Sequence, residues 1–594
     1  MALPKLPPEL IGAIAAELES ESDMCALDRT NRYLHSILNG LLYRRNAEYY
    51  QSSALIWAAK NSKTATAEMS LRHSADVDTK CMRDSMRGTP LVYAAQGGHE
   101  AIVRLLIERG ASINTTSERE RGAPLHLAAR GGHAAVVRLL LDKDASLDAN
   151  GNLGGPPLCE ATRGGYEDIA RMLLQSGADP HAACPWGWTP LFHASDNGDV
   201  AMIKLFLELG ADPQCEDWSG STPLSAAARN GHIDSIELLS SYGGVFNAPD
   251  RSGQTPLSLA AEAGHEALVK LLLEKGVTPH SQDRMGQTPP GKAASSGKQG
   301  AVEAFIDHGL DPNSTDRDGR TMLSLAAELG HAAIVQLLIH KGADKDAVDR
   351  RGMSPLMYAA QSGKNAVIRL LLQKGVDVEG MDHRGWTPLM FAARSGSHSA
   401  VMLRGCYGLY PEHLEGAAEM KALNKTALEE LHESARLLLA HGAKVDAADG
   451  EGRTALYWAV QSTVGFVRIF LEHGANPNVK SKIGETILAR IAFSPYGSPK
   501  FDDTAQLLLE SGADVDIRDG TGRTPLSWAA QPGARDIDTK VMLLFLEHGA
   551  NPFSVDRYGK TPLAWAASVG HEAYFIDALK RFKASRQTSD SGSG

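Results

Sequence analysis

The chain has 594 residues, more than one hydrophobic core can organise, so several domains or an array of repeats is expected. Its 43% hydrophobic and 22% charged residues are those of an ordinary folded protein and exclude global disorder. The formal net charge of −11 argues against non-specific binding to nucleic acid or anionic membrane, and no run of eighteen apolar residues offers a membrane span.

The chain begins with LPPELIGAIAAEL, residues 6–18, which has no counterpart further along. Leu6, Leu10, Ile14 and Leu18 fall at steps of four, one stripe of a helix that Pro7 and Pro8 can start. A second helical segment carries Leu27, Leu34, Ile37 and Leu38. About 45 residues of this kind cannot bury enough surface to stand alone and must pack on something else. A helical cap for the array behind it would do so. With three prolines and three glutamates, the first 20 residues do not read as a signal peptide. The six cysteines, Cys25, Cys81, Cys159, Cys184, Cys215 and Cys406, form no C-x-x-C pair and are sparse for a secreted scaffold, which points to a reduced cytoplasmic or nuclear setting.

From residue 53 the sequence repeats. The last residue of each TPL-like string falls at Leu55, Leu91, Leu125, Leu158, Leu191, Leu224, Leu257, Pro290, Leu323, Leu356, Leu389, Leu456, Leu488, Leu526 and Leu563. The eight steps from Leu125 to Leu389 are 33 residues each, a period that specifies a solenoid. In the copy DRSGQTPLSLAAEAGHEALVKLLLEKG, residues 250–276, Asp250 and Gly253 bracket a tight turn. Thr255 caps a short helix that starts at Pro256, buries Leu257, Ala260 and Ala261, and ends at Gly264. Leu268, Leu271 and Leu272 form the apolar face of a second helix, closed by Gly276. Such a unit is too small to bury its own faces, so neighbours must stack.

This copy, and GAPLHLAARGGHAAVVRLLL at 122–141, resemble the ankyrin repeat. The resemblance spans about fifteen units. It implies an all-α solenoid over residues 53–580, a curved rod roughly a hundred Å or more in length. Pro290-Gly291 is the sharpest departure and places the first helix of its unit in doubt; the unit at Leu488 lacks the proline. Early copies carry extra residues in the hairpin, as in TKCMRDSM before Gly88. Later copies carry them between the helices: 34 after Leu389, five after Leu488 and four after Leu526. The largest insertion, at about 397–432, contains GCYGLYPEHL and is expected to loop out of the stack, either decorating a binding face or tolerated by drift. Residues 581–594 read as a disordered tail.

Residue types that suggest chemistry have periodic explanations. His99, His133, His232, His265, His331 and His571 share one place, the G-H between helices, and so read as structural. Trp57, Tyr93, Tyr358, Phe391, Trp458, Trp528 and Trp565 share another, two after the TPL leucine, and read as core filler because cleaner copies have Leu there. Only His126 keeps a histidine directly after TPL. No HExxH, GxSxG, Walker A or zinc spacing is present, so neither catalytic nor metal-binding residues nor a cofactor are expected. The candidate binding residues lie at the hairpin tips. Arg251, Arg284, Arg317 and Arg350 occupy one position in four consecutive units, with His383-Arg384 extending the row. They form either a basic ridge for a protein target or ordinary soluble turns, each beside its own Asp. Trp218, at the tip of DWSG, has no core to fill and is a candidate anchor.

The front of the chain carries a second resemblance. LPPELIGAIAAELESESDMCALDRTNRYLHSILNGLLYRRN, 6–46, resembles an F-box, in the form that heads ankyrin proteins of filamentous fungi, through Leu6-Pro7, Glu9, Leu10, Ile14, Leu18, Asp23, Leu27 and TNRYL at 30–34. Tyr33 stands where many members have a nearby Trp. The resemblance implies an F-box-like helical element over 1–50 that binds the Skp adaptor of cullin-type ubiquitin ligases through Leu6, Pro7, Leu10, Ile14 and Leu18. The array would then hold a protein target. A scaffold of the same shape without a ligase role is the alternative; partners are proteins, not nucleic acid or membrane.

Overall fold

The computed structural model describes residues 43–44, 47, 53–80, 88–116, 122–148, 155–395, 417–493, 499–530 and 539–590. Among them the regular structure is helical, with two isolated bridges, Thr315 to Thr321 and Lys480 to Thr486. The stretch 6–18, the hairpin excess before Gly88 and the GCYGLYPEHL segment lie outside the described residues. The chain forms two compact units, Met1–Arg284 and Met285–Gly594.

In the first unit a short helix and a longer one alternate, from Ser53–Lys60 and Thr64–Arg72 through Pro256–Ala263 and Glu266–Glu274. Each first helix packs on the first helix of the next repeat, and most second helices pack on the next second helix. Within the 250–276 copy, Thr255 Oγ1 accepts the Ser258 N–H at 3.3 Å, Pro256 opens the helix, and Gly264 ends it with φ +89°. Asp250 Oδ1 accepts the amides of Ser252 and Gln254, which closes the turn. Leu257, Ala260 and Ala261 are buried, as the spacing predicts. On the second helix the buried set is Leu268, Val269, Leu272 and Leu273, and Leu271 is only half-buried.

The second unit repeats this plan from Pro289–Ser295 to Glu572–Asp590. The helix placed in doubt by Pro290-Gly291 does form. Pro289 and Pro290 both lie in its first turn, where no amide is needed, and Thr288 Oγ1 accepts from Gly291 N at 3.3 Å. At Leu488, Thr486 caps the helix Ile487–Ala492 without a proline. Two expected boundaries move. Helix Ala417–Ala440 brings Leu431 and His432 into the stack, so the insertion ends before 432. Leu431 is 5% exposed, Asn365 Nδ2 donates to the Glu430 carbonyl at 2.9 Å, and Ser434 Oγ donates to Asn365 Oδ1 at 2.8 Å. The last helix runs to Asp590 through residues expected to be tail. The sequence there lacks Pro and Gly, and Asp577 pairs with Arg581 one turn on at 2.8 Å.

Candidate interaction surfaces of the array

The hairpin tips are built from four residues whose first is usually Asp and whose fourth is Gly. The Asp carboxylates point inward: Asp217, Asp283, Asp316, Asp349, Asp449 and Asp556 are all at most 8% exposed. They accept amides of their own turn, as when Asp316 Oδ1 takes Asp318 N and Arg320 N, both at 2.9 Å. At Asp349, burial opposes the charge, but the Tyr358 hydroxyl, the Met353 and Arg351 amides and the Arg351 guanidinium outweigh it, holding the carboxyl below its usual range.

The second tip residue ties each hairpin to its neighbour. In most tips its amide donates to the carbonyl of the third residue of the preceding tip: Trp218 to Trp186 at 3.1 Å, Arg251 to Ser219 at 2.7 Å and Arg284 to Ser252 at 2.8 Å in the first unit. The second unit continues with Arg350 to Asp318 at 3.0 Å and His383 to Arg351 at 2.9 Å. The approach is close enough to require Gly at the fourth position. Gly253 has φ +84°, and a Cβ there would lie 2.9 Å from the Asp283 Cα. Arg251, Arg284, Arg317, Arg350 and Arg384 are exposed at these tips. Arg384 sits at the third position rather than the second, so His383 keeps the register and Arg384 aligns with Arg351.

Trp218 is 64% exposed, as a side chain with no core to fill should be. Trp186, on the preceding tip, is 53% exposed and meets it edge to face, with ring centroids 5.9 Å apart. The two tips are joined by a backbone hydrogen bond, and both indoles are open to solvent, which makes them a candidate anchor. Trp186 was legible only by stacking its tip on that of Trp218. The stretch at 6–18 expected to bind an adaptor, with Leu6, Pro7, Leu10, Ile14 and Leu18, lies outside the described residues.

The histidines of the G-H position are clamps. His99, His133, His232, His265 and His331 each donate from Nε2 to a carbonyl of the preceding repeat, at 2.9–3.2 Å. The slot two after the TPL leucine is not uniform core. Tyr93, Tyr358 and Phe391 are buried, but Trp57 is 51% exposed. Trp458, Trp528 and Trp565 are half-buried. A buried indole needs an acceptor, and the turn Asp supplies one: Trp528 Nε1 donates to Asp519 Oδ2 at 2.7 Å and Trp565 Nε1 to Asp556 Oδ2 at 2.8 Å. Arg523, 5% exposed, lies between these rings, its guanidinium carbon 3.8 and 3.9 Å from their centroids. Lys560 covers Trp565 at 4.2 Å.

In the first unit the same slot holds Glu160 and His193, both buried ionisable residues that the periodic reading passed over. Arg163 donates to Glu160 Oε2 at 2.5 Å, and His126 Nε2 lies 3.9 Å from Glu160 Oε1. His126, 2% exposed, finds no hydrogen-bond partner for either ring nitrogen. Burial drives both histidines toward the neutral form, His193 to about 4, against the raising influence of Glu160. Among the described residues, no group of three or more His, Cys, Asp or Glu side chains could hold a metal ion. No helix of the described residues is long and apolar enough to cross a membrane.

Comparison with known proteins agrees with this architecture. The family profile described as ankyrin repeats (3 copies) matches residues 24–117, 115–184, 191–283, 257–349, 341–408, 407–481 and 495–579. Human cyclin-dependent kinase 4 inhibitor B is 33% identical over 122 residues, 20% of this chain and 86% of that protein. Human cyclin-dependent kinase inhibitor 2A is 31% identical over 105 residues, covering 18% and 65%. The human transient receptor potential cation channel subfamily A member 1 is 30% identical over 112 residues, 19% of this chain and 10% of the channel. Stacked hairpin-and-helix-pair repeats, matched along most of the length, place this chain in the ankyrin-repeat family, a protein–protein interaction module.

Proposed function

We propose that the chain is a substrate receptor, its N-terminal stretch binding a Skp-type adaptor of a cullin ubiquitin ligase and its array holding the protein to be modified. The observation that carries this is the order of residues at 6–46, an F-box-like pattern placed directly ahead of an interaction module. Its chemistry is approximation: it brings target and ligase together and needs no active site of its own. The exposed indoles Trp186 and Trp218 and the tip arginines, including Arg251 and Arg284, are the surfaces that support target binding in this reading.

The test is Leu10→Asp together with Ile14→Asp. A charge in an apolar anchor stripe loses burial and adds a desolvation cost. Purified from cells, the double variant should lose the adaptor and cullin while keeping proteins bound to the array. Unchanged adaptor recovery would overturn the reading. One observation favours the scaffold alternative: the ankyrin profile begins at residue 24, inside the F-box-like stretch. Under that alternative the wild-type chain would recover array-bound proteins without any adaptor.

A further inference from the structure

The exposed indoles of the first unit lack something that indoles of the second unit have. In the second unit Trp386, Trp458, Trp528 and Trp565 each lie under a cation of the same chain. Arg394 is 4.7 Å from the Trp386 centroid, Arg453 4.8 Å from that of Trp458 and Lys560 4.2 Å from that of Trp565. Arg523 shows the arrangement most fully. Its guanidinium carbon is 3.8 Å from the Trp528 centroid and 3.9 Å from that of Trp565, two rings from successive repeats. The turn carboxylates Asp519 and Asp556, which take the indole N–H groups, act on it with charge of opposite sign. Indoles on neighbouring repeats, with a turn carboxylate behind them, are how this chain holds a guanidinium.

Trp186 and Trp218 repeat the indoles and the carboxylate without the cation. Their ring centroids are 5.9 Å apart, the planes 66° from each other, and both side chains are more than half exposed. Trp218 Cδ1 lies 3.1 Å from where a Gly187 Cβ would stand, so this ring leans back over the turn that carries Trp186. Behind the pair is Asp217, 8% exposed. Its donors are neutral: Trp188 Nε1 at 2.9 Å on Oδ2, and Ser219 N, Ser219 Oγ and Ser221 N at 2.7–2.9 Å on Oδ1. Among the described residues no ion pair involves it, whereas Asp316, Asp349 and Asp449 are each paired with an arginine. Neither tip, 184–187 or 217–220, contains a basic residue, and the exposed Glu216 adds a second acid. The next tip carries Arg251, whose Cγ lies 2.9 Å from where a Gly220 Cβ would stand. Among the described residues no cation covers either indole.

From this comparison we propose that Trp186 and Trp218, with Asp217 behind them, receive an arginine side chain of the protein partner. A guanidinium suits the place better than an ammonium, being planar, weakly hydrated and able to stack on aromatic faces. The indole faces attract it, and the carboxylate supplies a negative charge that the chain itself leaves without a cation. Arg251 marks the limit of the site, since like charges repel and the entering arginine must lie on the Trp186 side of Trp218. The placement on an array that binds proteins favours an arginine carried by a protein over a free cation. The proposal names the chemistry of the target and rests on the array being the partner-binding part of the chain; the probes below need neither target nor adaptor.

The experiment uses the full chain and a fluorescein-labelled degenerate peptide pool centred on arginine. The comparison is the same pool centred on citrulline, which keeps the shape and loses the charge. Anisotropy should show the arginine pool bound and the citrulline pool about tenfold weaker. An acidic chain attracts any cationic peptide, so the deciding variants leave its charge unchanged. Trp186→Leu with Trp218→Leu should weaken binding of the arginine pool about tenfold. Should that double variant melt early by circular dichroism, Trp218→Phe, which should retain only part of the affinity, carries the comparison. Equal binding of the two pools, or arginine-pool affinity unchanged in a folded variant, would overturn the proposal. Saturable quenching of tryptophan fluorescence by tetramethylammonium without binding of the peptide pool would overturn it too, in favour of a free cation. A chain that binds the arginine pool but recovers no adaptor would refute the ligase reading and leave this site standing.

Discussion

Single ionisable residues are buried within the array, and His193 is the clearest case. It is 5% exposed, its ring packs on Trp188 with centroids 5.2 Å apart, and the charges facing it are Glu160 and Arg163. Burial is the main cause holding its pKa at about 4, below the ordinary 6.5, so the folded chain keeps it neutral. Between those two values the unfolded chain takes up a proton that the folded chain refuses, and stability is therefore lost as pH falls through the window. Completed at its acid end, the effect is about 3 kcal/mol. His193→Leu should remove this contribution, Leu being the residue of the same slot at Leu127. The check is the difference in melting midpoint between pH 7 and pH 5, which should be smaller in the variant than in wild type. Equal differences would mean that His193 does not titrate differently on folding.

At the scale of elements, each repeat gets its helices from local rules and its packing from its neighbours. The helix pairs were legible because Thr, Pro, Leu and Gly recur at fixed offsets, and each choice has a local cause, such as Thr255 capping Ser258 N. The tips were half legible. The Asp and Gly of each turn announce it, but the bonds between tips join residues from successive repeats, far apart in the chain, for example Arg251 to Ser219, and only stacking reveals them. The slot two after the TPL leucine was misread for the same reason: Trp528 and Trp565 reach the turn carboxylates of Asp519 and Asp556, contacts that a count along the chain does not show. Helix Ala417–Ala440 shows the limit of counting residues, since an excess of 34 does not say which end joins the stack. Deleting residues 398–425 should keep the unfolding transition sharp, because residues from 426 on carry the described packing of that helix. Extending the deletion to 431 removes buried Leu431 and the Glu430 carbonyl bonded to Asn365, and should cost about 2 kcal/mol or more. Thermal melts of both deletions decide it; equal midpoints would place Leu431 outside the cooperative stack.

Over the whole molecule the sign of the charge and the sign of the tips differ. The chain is acidic, at −11, yet the turn carboxylates are buried among their own amides while the arginines beside them face solvent. Each arginine tip also carries its own Asp, whose carboxylate is held by the amides of the turn but keeps its charge and offsets part of the field of its arginine. Arg251 and Arg284 in the first unit, and Arg317 and Arg350 in the second, are exposed, and in the proposed reading they meet an approaching protein. Their backbone amides hold the tips together, a task any non-proline residue can perform, so replacing the side chains leaves those bonds in place. Changing all four to Ser should leave the melting midpoint within a degree or two, since exposed charges contribute about 0–1 kcal/mol each and often nothing measurable. Association with the protein recovered on the array should become slower at low salt, because the steering field is weakened. Wild-type association should slow as salt rises through the physiological range, and the quadruple variant should show a flatter dependence. The measurement is the association rate at low and high ionic strength for both chains; identical salt dependence would make the four arginines turn residues and nothing more.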